Sequence, residues 1–112
     1  MSLRRELLPE AIAEILQAAE WYEDRRIGLG EEFLSAAEQA MDAVAAAPLA
    51  SAAWPGSVRH RRRVMKKFPY ILVYEVRSDT LEIVAVAHTK REPGYWVERI
   101  RTTDTAKHEE VP

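Results

Sequence analysis

The side chains best equipped for chemistry lie between Arg59 and Trp96. Arg62, His88, Arg91 and Tyr95 are the candidates for a catalytic role. Arginine grips phosphate or carboxylate through paired hydrogen bonds, and histidine and tyrosine can move a proton. Around them stand Arg59, Arg61, Arg63, Lys66, Lys67 and Lys90, with Trp96 directly after Tyr95. Cations beside aromatic rings suit a surface that holds phosphates and stacks unpaired bases, or one that receives an acidic protein. Cleaving RNA without a metal would need a base for the 2′-hydroxyl and cations for the transition-state charge. Arginine and lysine supply the second requirement; His88 and Tyr95 are the candidates for the first.

Other constellations are missing. The chain has no cysteine, and His60, His88 and His108 stand alone, with no acid at metal-ligand spacing. There is no phosphate-binding glycine loop and no nucleophile elbow. No metal and no cofactor are expected. Trp54, in a Trp-Pro-Gly turn, reads as the anchor of its loop.

The 112 residues carry a net charge of −2, which hides an asymmetry. Residues 1–58 hold four basic against ten acidic side chains, and residues 59–101 hold eleven against five. The local field over the second half is therefore cationic. A chain of this length makes one domain, taken as 1–101, with 102–112 expected to be a flexible tail. The N-terminus lacks a signal-peptide core and no window is apolar enough to span a membrane, so a cytoplasmic protein without a membrane partner is expected.

The elements that must position these groups follow from periodicity. Leu3 to Leu8 reads as an edge strand. Pro9 opens a helix in which Ile12, Ile15, Leu16, Ala19 and Tyr22 form the apolar stripe, running to about Arg26, where two arginines complement the helix dipole. Gly28 takes a left-handed stop, and Glu31 and Glu32 begin a second helix. Its stripe is Phe33, Ala37, Ala40, Val44 and Ala47, and Pro48 ends it. So short a link makes an antiparallel hairpin.

The basic run forms a strand with Arg59, Arg61, Arg63 and Met65 on one face and His60, Arg62, Val64 and Lys66 on the other. Phe68 to Val76 is apolar on both faces, as a central strand is. Ser78-Asp79 makes a tight turn into a strand alternating Leu81, Ile83, Ala85, Ala87 with Glu82, Val84, Val86, His88. Tyr95 to Ile100 is expected to form a helical turn. The fold class is α+β: an N-terminal strand and an α-helical hairpin packed on a small, mainly antiparallel sheet.

Several pieces in this order resemble the RelE/ParE superfamily of bacterial toxins. They are Ala18-Ala19-Glu20-Trp21-Tyr22-Glu23, Gly28-Leu29-Gly30-Glu31-Glu32-Phe33, Pro48, Lys67-Phe68-Pro69-Tyr70, Val73-Tyr74, Val84-Ala85-Val86-Ala87-His88 and Arg91-Glu92-Pro93-Gly94-Tyr95-Trp96. The set spans residues 3 to 99, and the Trp-Tyr-Glu helix end and Arg-x-Pro-x-Tyr-Trp exit look closer to the ParE, plasmid-stabilisation side. The resemblance implies growth inhibition relieved by a cognate antitoxin, with DNA gyrase as the target and no catalysis. RelE-like members instead cleave mRNA on the ribosome. In that reading Arg62 matches the strand cation, Arg91 the exit arginine and Tyr95 the tyrosine, while Ile71 stands where such nucleases carry another arginine. A third reading is an inactive relative kept as an antitoxin-binding module.

Overall fold

The computed structural model describes residues 3–57, 59–97 and 99. The elements are β1 (Arg4–Leu7), α1 (Pro9–Glu23), α2 (Leu29–Ala46), β2 (His60–Val64), β3 (Tyr70–Arg77) and β4 (Thr80–His88). The strands form one sheet in the order β1-β4-β3-β2. β1 runs parallel to β4, and β2, β3 and β4 are antiparallel. The α+β architecture with an N-terminal edge strand is therefore as expected, and β4, the last strand among the described residues, lies in the interior of the sheet.

The helical hairpin covers one face. Ala11, Ile15, Ala18 and Ala19 of α1, with Phe33, Ala37, Ala40 and Val44 of α2, close over Leu72, Tyr74, Leu81, Ile83 and Val86. Small residues let the two helices approach closely. Gly30 marks the tightest point: a β-carbon there would sit 2.6 Å from the Ala19 carbonyl oxygen and 3.1 Å from the Glu23 β-carbon. Gly30→Ala should thus cost about 1–3 kcal/mol, read from urea denaturation, because backbone rather than a pliable side chain must yield. An unchanged midpoint would show that the hairpin can open at no cost.

The stripe of α1 is rotated from the expected one. Ile12 and Leu16 are 45% and 57% exposed, while Ala11 and Ala18 are buried in their place. The buried face is made of Ile15 with three alanines, and the bulkier Ile12 and Leu16 lie outside it. α1 also ends at Glu23 rather than Arg26, and α2 begins at Leu29. Arg25 lies over the Trp21 ring at 3.3 Å, and Arg26 pairs with Glu32 at 3.0 Å. Gly28 is left-handed, as expected, but as the residue preceding α2 (φ 92°). The Glu23 carboxylate accepts the Gly28 and Gly30 N–H groups at 3.0–3.1 Å, capping α2 from the end of α1. The Gly28 and Gly30 amides lower the Glu23 carboxyl below the ordinary glutamate range.

In the second helix Phe33, Ala37, Ala40 and Val44 are buried as expected, whereas Ala47 lies past the helix end and is exposed. The two-face reading of the basic run holds from His60 to Val64: Arg61 and Arg63 align with Tyr74 and Leu72 on the helix side, and Arg62 aligns with Val73 on the other. The expected alternation of β4 does not survive beyond Val84. A bulge opposite Val73 and Tyr74 puts both Val84 and Ala85 on the face away from the helices and returns Val86 to the helix side. One inserted residue flips every following side chain. Lys67, at φ 71°, carries the chain from β2 into β3, and Ser78, at φ 50°, makes the β3–β4 turn where the hairpin was expected. The 102–112 tail and His108 lie outside the described residues.

Candidate functional site

The second face of the sheet has its own small core. Val73, Val84, Ala85 and Trp96 are buried together, with Trp54, Tyr95 and Leu8 against them. Trp96, expected on a binding surface, is only 2% exposed, and its ring meets Trp54 and His60, each at 5.1 Å. Trp54 does anchor its loop: its N–H donates to the His60 carbonyl at 2.8 Å, and the Arg62 N–H donates to Ala52 at 3.0 Å. The segment after β4 turns back through hydrogen bonds from Val97 to Gly94 and from Arg99 to Trp96, the helical turn expected there.

Much of the cationic run is used within the fold. Arg59 donates from Nε and Nη2 to Glu75 Oε1 at 3.0 and 2.8 Å. Glu75 is buried, sits beside Glu82 across the β3–β4 ladder, and is also met by Arg77 at 3.3 Å and His60 Nε2 at 3.4 Å. His60 Nδ1 lies 2.7 Å from the Ser57 hydroxyl. Arg61 donates to the Ser51 carbonyl at 2.7 Å, tying the loop before β2 to the sheet. Sequence reasoning did not find this carboxylate–histidine–arginine cluster. The signal for it was present: Glu75 and Glu82 lie at mirrored distances from the Ser78-Asp79 turn, so a hairpin must set them side by side.

A second hub is Glu14 of α1, which is not part of the apolar stripe expected for that helix. β1 ends at Leu7, leaving the upper edge of β4 uncovered, and the Glu14 carboxylate fills that gap by accepting the Val86 N–H at 2.9 Å. Arg99 donates to both Glu14 oxygens at 2.9 Å and to the Val84 carbonyl at 3.3 Å. The Tyr95 hydroxyl donates to Glu14 Oε2, and Arg91 approaches the same oxygen at 4.0 Å. Burial would raise the Glu14 pKa, but the hydrogen bonds from Arg99, Tyr95 and Val86 outweigh it and hold the carboxyl below its ordinary value. Burial and the Glu14 carboxylate push the Tyr95 hydroxyl well above the ordinary tyrosine range.

The four candidate catalytic residues do converge. Arg62, His88, Arg91 and Tyr95 line one cleft of about 560 Å³, floored by Ile71 and Ala87 and walled by Trp54 and Trp96. A neighbouring cleft of about 420 Å³ lies between α1 and the sheet, sharing His88 and Arg91 and adding Trp21, Tyr22 and Tyr70. Arg63 and Lys66 lie elsewhere, at a small hollow beside α2. Lys67 and Lys90 occupy the turns after β2 and β4, and neither lines the larger cleft.

What the cleft can do depends on its hydrogen atoms. His88 Nδ1 accepts the Lys90 N–H at 3.0 Å, so the neutral ring carries its proton on Nε2 and offers a donor there. Tyr95 spends its hydrogen on Glu14 and is a poor source of phenolate. The cleft is thus rich in donors and lacks an available base among its two candidates. Ile71, at its floor, adds no charge.

The molecule is thus a four-stranded sheet backed by a helical hairpin, with an arginine-bearing cleft on its far side. The sequence matches the family described as the ParE toxin of type II toxin–antitoxin system, parDE, over residues 6–93. The chain belongs to that family, on the ParE side of the superfamily it resembles. A solved structure described as the chromosomal ParDE TA system from P. aeruginosa is similar in fold, with a TM-score of 0.58 at 15% identity over 78% of this chain and 96% of that one. No curated protein sequence matches.

Proposed function

We propose that this ParE-family toxin arrests growth by binding DNA gyrase rather than by catalysis, and that a cognate antitoxin neutralises it in the cytoplasm. The observation that carries this reading is the commitment of both candidate bases: His88 Nδ1 to a backbone amide and Tyr95 to Glu14. A metal-free ribonuclease needs one of them free to take the 2′-hydroxyl proton. For the antitoxin, the exposed Ile12 and Leu16 of α1 offer an apolar seat for an amphipathic helix.

The test is to induce this chain alone in bacteria and follow new DNA and new protein by pulse-labelling. DNA synthesis should fall first, and purified toxin should inhibit gyrase supercoiling in proportion to its concentration. An immediate fall in protein synthesis, abolished by Arg91→Ala, would replace this reading with ribosome-dependent mRNA cleavage through Arg62, Arg91 and Tyr95. Unimpeded growth would favour an antitoxin-binding relative without toxicity.

A further inference from the structure

Two polar groups at the larger cleft lack the partners that buried and half-buried groups normally have. The Arg62 guanidinium is half-buried, lies 5.9 Å above the Trp54 ring, and meets no carboxylate or carbonyl among the described residues. The Trp96 Nε1–H is buried and has no acceptor among the described residues. A buried donor without an acceptor carries a desolvation cost, and an uncompensated cation half out of water attracts an anion. Both residues line the same cleft, where Arg91 adds a second guanidinium stacked 4.0 Å over Tyr95. His88 adds a donor, since its Nδ1 is already accepting.

We propose that this cleft is a receptor for one acidic side chain, an aspartate or glutamate next to an apolar residue, on an extended segment of a protein partner. The carboxylate would sit between Arg62 and Arg91, and its apolar neighbour would pack on Ile71 and Ala87. Charge decides between a protein and a nucleic acid. A polynucleotide needs a track of cations along its backbone. Here Arg59 and Arg77 are held by Glu75, and Arg99 is held by Glu14. Glu92 lines the cleft and Glu14 stands 4.0 Å behind Arg91, so a run of phosphates would meet like charge. A single carboxylate fits two guanidiniums with those acids nearby. The inference rests on the proposed function only in that a toxin acting by contact needs a receptor surface.

The experiment uses the full chain labelled with nitrogen-15 and follows its three indole N–H signals. The probes are acetyl-Glu-Phe-amide, acetyl-Gln-Phe-amide and a single-stranded uridine trinucleotide. The Glu peptide should move the Trp96 indole signal at millimolar concentration and leave Trp21 in place. The Gln peptide, and the Glu peptide with Arg62→Ala, should each bind about tenfold more weakly. The Arg62→Ala spectrum itself reports whether that variant is folded; Arg62→Lys, which keeps the charge and loses the fork, should fall between. Equal binding of the Glu and Gln peptides, no shift with either, or tighter binding of the trinucleotide through Trp96 would each overturn the proposal. Growth arrest by a chain that ignores the peptide would sink the receptor and spare the toxin reading. Peptide binding by a chain that leaves growth untouched would do the reverse.

Discussion

Replacing Glu14 by alanine is expected to lower the unfolding free energy by about 3 kcal/mol, measured by urea denaturation at neutral pH. The carboxylate joins three parts of the chain: α1, the uncovered edge of β4 at Val86, and the C-terminal segment through Tyr95 and Arg99. Without it the Tyr95 hydroxyl and the Val86 amide lose their acceptor, and Arg99 keeps the Val84 carbonyl. The same residue gives an acid limb to stability. Its folded pKa lies below the unfolded value of about 4.3, so the unfolded chain binds the proton more readily. Its contribution is therefore present above that value and is lost as pH falls through the lower folded pKa. Glu14→Gln should flatten this limb and keep part of the neutral-pH stability. A variant melting within about 0.5 kcal/mol of the parent would reduce Glu14 to an ordinary surface carboxylate.

Phe33→Ala should cost about 3–5 kcal/mol by the same measurement, with Phe33→Leu costing less. Phe33 is fully buried and its ring meets Tyr22 at 5.4 Å, Phe68 at 5.2 Å and Tyr70 at 5.0 Å. These rings tie α1, α2 and the β2–β3 turn together where sequence shows only scattered aromatics. The effect should reach the smaller cleft, because Tyr70 lies between Phe33 and His88, 5.1 Å from the imidazole. A Phe33→Ala chain that retains the parent's denaturation midpoint would mean that the four rings do not act as one cluster.

The fold was legible wherever local pattern and tertiary context agree. The two central strands announce themselves by apolar runs rich in β-formers, and the tight Gly28–Gly30 link forces a hairpin. The α1 face was misread because an alanine contact with another helix looks weaker in sequence than an isoleucine left in water. The β4 bulge was invisible because Val84, Ala85 and Val86 suit either face. At the site, charge and aromatic type were enough to bring Arg62, His88, Arg91 and Tyr95 to one cleft. Which cations remain available was not readable, since that depends on carboxylates distant in sequence. Glu75 draws in Arg59 and Arg77, and Glu14 draws in Arg99, so a dense basic run presents fewer charges than it contains.

The place of β4 in the sheet bears on the order in which the fold can assemble. β4 lies between β1 and β3, and Arg4, near the start of the chain, pairs with Thr80. Until β4 has been synthesised, β1 has no neighbour and the inner face of the helical hairpin has no finished sheet to cover. Such distant pairings close late and slowly. A growing chain thus exposes its alanine-lined helices before it can assemble the cleft, whose His88, Arg91 and Tyr95 come from β4 and the segment after it. The helical surface, with its exposed Ile12 and Leu16, is therefore on offer before the cleft is complete.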